Sequence, residues 1–181
     1  VHVVTMQALS GAGYPGVSSL DIIDNAVPYI GGEESKMQTE PLKILGKLEK
    51  GKIKEANIKF SAQCNRVPVI DGHLEAISMK LRKKATIEEI KKCWAEFKGE
   101  PQAMELPTAP KQPLIYFEDP ALPQPKLQRN IDKGMVVSLG RLQECPVLDF
   151  KFIALSHNTI RGAAGAAILN AELIYKKGLL N

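Results

Sequence analysis

Cys64-Asn-Arg-Val-Pro-Val-Ile-Asp-Gly-His73 reads as a strand, a proline-stiffened stretch and a turn into a further strand. Glu55 to Cys64 and Arg66 to Ile70 read as strands, and His73 to Arg82 puts Ile77, Met79 and Leu81 at alternate positions. An apolar residue at every second position is what a strand half-buried in a sheet presents. The same stretch holds Arg66 and His73 seven residues apart. A guanidinium grips a carboxylate with two parallel hydrogen bonds. An imidazole moves a proton near neutral pH. On one rigid segment they could hold an acidic substrate and do acid-base chemistry on it. A surface arginine and a structural histidine are the competing reading.

Working outward, residues 1–9 read as a strand leading into the glycine-rich turn Ser10-Gly-Ala-Gly-Tyr-Pro-Gly16. Val17 to Asn25 could hold a short helix. A helical stretch follows from Glu33 to about Lys50, with Leu42, Leu45 and Leu48 spaced to face a core. Pro41 lies inside it and should kink or restart it, because proline donates no backbone bond. Thr86-Ile-Glu-Glu89 is a capping box opening a helix whose Ile87, Ile90, Trp94 and Phe97 form an apolar stripe. Gly99 to Pro113 reads as a long loop, and Asp119 to Pro125 as a turn region. Leu114–Phe117, Met135–Leu142 and Val147–Ala154 complete the strands. Thr159 to Lys177 reads as a helix ending at Gly178, with Lys176 and Lys177 at the negative end of its dipole. Strands outnumber helices and several are joined by short turns. The expected fold is α+β, a largely antiparallel mixed sheet with helices on one face.

The chain has 181 residues, 44% of them hydrophobic, enough for one domain with a sizeable core. Lys+Arg number 24 against Asp+Glu 20, so the net charge of +4 is too mild for a nucleic-acid footprint. The basic runs at Lys50–Lys54 and Lys80–Lys84 carry no interleaved aromatics and read as solvated turns. Cys64, Cys93 and Cys145 are scattered, with no zinc spacing and an odd count, which fits a reducing cytoplasm. No apolar run approaches a membrane span, and no signal peptide opens the chain. Val1 opens on a strand already under way, so a fragment or processed product is expected. No Rossmann fingerprint appears: Ser10-Gly-Ala-Gly13 follows a strand, but its spacing is wrong.

The Arg66-to-His73 run resembles the substrate-binding and catalytic segment of aspartate-β-semialdehyde dehydrogenases, especially their archaeal and fungal branch. Thr5–Gly13, Glu33-Glu-Ser-Lys36 with its helix, and Asn158–Glu172 resemble the same family in the same order. The resemblance spans nearly the whole chain but only the C-terminal part of such an enzyme. It implies one catalytic and dimerisation domain over residues 1–181, similar to the C-terminal domain of glyceraldehyde-3-phosphate dehydrogenase-like enzymes. It places the N-terminal nucleotide-binding domain and the nucleophilic cysteine outside this chain. Members reduce L-aspartyl 4-phosphate with NADPH to L-aspartate 4-semialdehyde and phosphate, on the route to lysine, threonine, methionine and isoleucine. The resemblance also implies a homodimer or homotetramer.

By that resemblance His73 is the acid-base group and Arg66 pairs with the substrate's α-carboxylate. Glu33 holds its ammonium, Lys36 meets phosphate and Gln7 orients substrate, with Glu34 as the competitor to Glu33 if the register slips by one. Ser10, Gly11 and Asn158 match residues beside the nicotinamide; a plain helix N-cap is the other reading of Asn158. No metal is expected. Two alternatives stand beside this assignment. One is a reductase of a different acyl phosphate, such as N-acetyl-glutamyl-phosphate reductase or a glyceraldehyde-phosphate dehydrogenase type. The other is a dimerisation module without catalysis.

Overall fold

The two strands that flank the Arg66-to-His73 turn are not hydrogen-bonded to each other; the first strand of the chain lies between them. In the computed structural model, which describes residues 1–179, β1 spans His2–Gln7 and a small hairpin spans Lys47–Glu49 (β2) and Lys52–Lys54 (β3). Then come β4 (Ser61–Arg66), β5 (His73–Met79), β6 (Leu114–Phe117), β7 (Val137–Glu144) and β8 (Phe150–Ser156). The main sheet has six strands in the order β4-β1-β5-β8-β7-β6, and β2–β3 pair apart from it. β1 runs parallel to β4 and β6 parallel to β7; the other pairs are antiparallel. The sheet is thus mixed and mainly antiparallel, as expected.

The helices are α1 (Ser19–Ile22), α2 (Glu33–Ile44), α3 (Ile87–Glu96), α4 (Glu100–Ala103), α5 (Pro125–Gln128) and α6 (Gly165–Lys176). Register shows which face they cover. Val3 lies beside Ala62 on one side and Ile77 on the other, and this row packs against Ile30 and Met37 of the α2 region. Ile77 lies beside Phe152, which packs with Ile90 and Trp94 of α3 and with Tyr116. Side chains alternate across a strand, so α2 and α3 cover the same face. Each large aliphatic side chain buried there contributes about 1.5–3 kcal/mol. α6 forms a third cluster, Leu106, Met135 and Leu169.

The capping box at Thr86 forms as read: its hydroxyl accepts from the Glu89 backbone at 3.2 Å, and the Glu89 carboxylate accepts the Thr86 N–H at 2.7 Å. Thr86→Ala should cost about 1 kcal/mol and lower Tm by about 2–4 °C in a thermal melt. An unchanged Tm would show that α3 is held by its apolar stripe alone.

Several local readings are corrected. α2 ends at Ile44 rather than near Lys50, and the chain turns into the β2–β3 hairpin. Leu45 and Leu48 therefore stay at the surface, Leu48 being 77% exposed. α2 runs through Pro41 without restarting; the proline removes the one N–H that would have reached Met37 O, and the helix ends three residues later at Ile44. Strand β4 stops at Arg66, and residues 67–72 form a turn. Residues 55–60 are also outside any strand. Gly99 to Pro113 contains the short α4, with Pro101 in its first turn, where proline is tolerated. Phe97 follows α3 and is 48% exposed. The last helix begins with a π-helical turn, Ile160–Ala164. Asn158 does not cap it; its side chain is used elsewhere. Gly178 does sit in the left-handed conformation beyond the helix end.

Candidate active site

β1 lies between the two strands that carry the candidate pair. Gln7 is in register with Arg66 on β4. One step past the Met6–Leu74 pair, His73 of β5 stands on the other side of Gln7, and His73 pairs in turn with Ser156. Arg66, Gln7 and His73 thus form one row across one face of the sheet. Arg66 is 6% exposed and Gln7 5%. The Gln7 amide makes no side-chain hydrogen bond among the described residues, so it is free to meet a ligand.

Backbone hydrogen bonds stitch the surrounding turns together. Leu9 N–H donates to Val69 O (2.7 Å), Ser10 N–H to Ile70 O (3.1 Å) and Val67 N–H to Gln7 O (3.0 Å). Asn158 straps the same turns: its Oδ1 accepts from Gly72 N–H and its Nδ2 donates to Ser10 Oγ, each at 2.8 Å. That double use is why it cannot cap the helix that follows. Arg129 Nη1 donates to Asp71 O at 3.1 Å and holds the Asp-Gly turn from the far side.

Arg66 and His73 converge. Ala8 N–H donates to His73 Nδ1 at 3.1 Å, and Arg66 Nη1 donates to Ala8 O at 2.6 Å. Gly11 lies against both. A Cβ there would stand 2.9 Å from Arg66 Nη1 and 3.2 Å from His73 Nε2, so any larger residue would have to push the guanidinium and the imidazole aside. Burial pushes the His73 pKa down to about 4, helped by the Arg66 charge and opposed by Glu33. Burial also lowers the Arg66 pKa, and Glu33 opposes this too.

The structure separates the two glutamates at the start of α2. Glu33 binds Lys36 at 3.0 Å and its charge reaches Arg66 and His73. The hydrogen bond to Glu33 is the main cause of a raised Lys36 pKa. Glu34 instead accepts the Cys64 N–H at 3.1 Å, which ties α2 to the edge strand β4. Glu33, Lys36, Gln7, Ser10, Gly11, Arg66 and His73 therefore border one region, with Asn158 bracing it. No cysteine joins them. Cys64 is fully buried on β4, Cys93 lies on α3, and Cys145 follows β7 at the other end of the sheet. A cleft of about 920 Å³ also lies at that other end, between Val1, the β2–β3 hairpin and Lys80–Arg82. It holds lysines, one arginine and two glutamates but no acid-base pair like Arg66 and His73. Among the described residues no cluster of three potential metal ligands occurs, and no helix is long and apolar enough to cross a membrane.

Residues 1–161 match the family model described as semialdehyde dehydrogenase, dimerisation domain. The chain belongs to that family. The aspartate-semialdehyde dehydrogenase of Schizosaccharomyces pombe is 52% identical over 99% of this chain, and that of Archaeoglobus fulgidus 49% identical over 99%. The match takes up 52% and 51% of those proteins, so the chain spans about half the length of the curated relatives it matches. The crystal structure of aspartate semialdehyde dehydrogenase with NADP from Candida albicans superposes with a TM-score of 0.90 at 44% identity, over 99% of this chain and 51% of that one. The α+β semialdehyde dehydrogenase fold is thereby shown.

Sequence reasoning missed three groups in this semialdehyde dehydrogenase domain. The Ala8 main chain was invisible, because a backbone donor carries no residue signature. The tether made by Glu34 depends on a hydrogen bond 30 residues away in the chain. Glu75, two residues past His73 and beside Thr5 in register, has its carboxyl pKa pushed up by burial. Its place after the histidine on an alternating strand was the one available signal.

Proposed function

We propose that this chain is the substrate-holding and acid-base half of an oxidoreductase that reductively dephosphorylates L-aspartyl 4-phosphate to L-aspartate 4-semialdehyde. The observation that carries the reading is the convergence of Arg66 and His73 on Gly11, with Glu33 and Lys36 beside them. A zwitterionic amino acid needs a cation for its carboxylate and an anion for its ammonium. Arg66 from the sheet row and Glu33 from the start of α2 supply both. Lys36, a compact cation on the exposed rim, meets the phosphate. Gln7 donates or accepts at the acyl group, and His73 acts at the acyl oxygen.

NADP, when bound, supplies or receives hydride. In this reading Ser10 and Gly11 would border it; Gly11 leaves bare backbone against Arg66 and His73 where a side chain would intrude. Asn158, which donates to Ser10 Oγ, would hold Ser10 in place there. The nucleophilic cysteine and most of the cofactor site come from the nucleotide-binding part that lies outside these residues. The pairing of two such chains, in a dimer or tetramer, and a cytoplasmic location complete the reading.

Purified protein assayed with aspartate semialdehyde, phosphate and NADP tests it. The longer protein should produce NADPH with this substrate and not with the N-acetyl-glutamate analogue. The 181-residue chain alone should give no turnover. NADPH formation by the isolated chain at the rate of the longer protein would refute the division of labour. Preference for the N-acetylated substrate would move the assignment to the related reductase.

A further inference from the structure

Helix α2 lies lightly on the sheet, and something must fix how it is rolled about its own axis. None of its residues is fully buried, and Gly32, in the left-handed conformation, gives it no side-chain cap. The stripe that docks is Glu34 and Met37, one turn apart. Met37 packs on the cluster of Val3, Ala62 and Cys64. That contact is apolar, and a flexible thioether adapts to many positions. The directional contact is the Glu34 carboxylate, which accepts the Cys64 N–H at 3.1 Å. Cys64 stands two residues before Arg66 on the edge strand β4, so both N–H groups leave the sheet on the same side. Arg66 N–H donates there to Val27 O at 2.8 Å, and Val27 N–H donates to Arg66 O at 3.0 Å. Glu33 and Lys36 form the next stripe, about 100° around the helix. Wherever Glu34 and Met37 dock, Glu33 and Lys36 are aimed with them.

We propose that Glu34 is a positioning residue: by fastening α2 to the strand that carries Arg66, it sets the spacing between the anion that takes an amino acid's ammonium and the cation that takes its α-carboxylate. The clasp thereby gives the site its preference for an amino acid over a plain dicarboxylate. That Glu33 and Arg66 are those two groups rests on the function proposed above; the bond from Cys64 to Glu34 does not. Glu34 itself touches no substrate in this arrangement, since its carboxylate is spent on the backbone.

The test uses the longer protein and two probes of nearly the same shape, L-aspartate and succinate, which lacks the ammonium. Calorimetry gives the ratio of their affinities. Glu34→Gln keeps an oxygen acceptor at the same reach and should keep the parent's ratio. Glu34→Asp keeps the charge but is one carbon shorter. It and Glu34→Ala should lower the ratio about tenfold, by weakening aspartate and leaving succinate unchanged. Thr86→Ala, which loosens α3 and not α2, should lower Tm without moving the ratio. A ratio that survives in the Asp and Ala variants would overturn the clasp, and so would equal weakening of both probes. An Asp variant closer to the parent than the Gln variant would overturn it too, by making Glu34 the ammonium's own partner. The order of Gln and Asp decides the matter even if the Ala variant does not fold. A parent protein that turns over no aspartate semialdehyde would sink the proposed function; one that does, with a ratio indifferent to Glu34, would sink only the clasp.

Discussion

His73→Asn in the longer protein is expected to lower kcat by on the order of 10²–10⁴-fold while leaving KM nearly unchanged. Asparagine is the informative replacement. Its Oδ1 occupies roughly the position of the ring's Nδ1 and can still accept the Ala8 N–H. The ring's second nitrogen, Nε2, which lies next to Gly11, is what disappears. Arg66 keeps its bond to Ala8 O, and Glu33 keeps Lys36, so the groups that hold the substrate ends are untouched. A loss confined to kcat marks an interaction made in the transition state. An equal rise in KM would show that His73 also carries ground-state binding, and the assigned division between holding and chemistry would fail.

The same variant changes the pH dependence of stability. His73 has a pKa of about 4 in the folded chain against an ordinary 6.5, so the unfolded chain binds more protons between those values. Folded stability therefore falls as pH drops from about 6.5 toward 4. Removing the imidazole removes that part of the acid loss. Denaturant titrations at pH 7 and pH 4.5 should show a smaller difference for the Asn variant than for the parent chain.

The site was more legible than the path of the chain that builds it. Arg66 and His73 stood in one short stretch whose residue types name their chemistry. Glu33 was read as the ammonium holder with Glu34 as its competitor, since helix spacing alone treats neighbours as a register question. Folding gives Glu34 a tertiary partner that helix spacing cannot show, the Cys64 backbone N–H. The alternation after His73 gave β5 correctly, yet no local pattern could say that β1 would insert between β4 and β5. Strand order is set by which apolar faces meet, here Val3 with Ala62 and Ile77. The leucines at 45 and 48 misled for a related reason. Their helical spacing was real, but no neighbouring element covers them once the chain leaves α2 for the hairpin. Asn158 showed the same limit: an asparagine ahead of a helix suggests a cap until a tertiary partner competes for its amide.

Arg66→Leu should weaken substrate binding roughly 10²–10³-fold and lower kcat much less, whereas Arg66→Lys should recover only part of the loss. A charge-assisted hydrogen bond contributes about 1.5–3 kcal/mol, and a two-pronged grip on a carboxylate contains two. Lysine restores the charge but not the planar fork, so the partial recovery measures how much of the affinity is geometry. The leucine variant carries a second, separable cost. Arg66 is buried and its Nη1 donates to Ala8 O, so leucine removes that charge-assisted bond and leaves the carbonyl only the Gly11 N–H, at about 1.5–3 kcal/mol of stability. It also deletes the charge of Arg66 that opposes protonation of His73, so the imidazole's pKa should rise somewhat, while burial, the larger cause, still holds it low. Binding of succinate, a dicarboxylate without the reacting group, isolates the first effect, and a thermal melt isolates the second. A leucine variant that binds succinate as well as the parent protein would remove Arg66 from the substrate site, and with it the reason to read this row of residues as one.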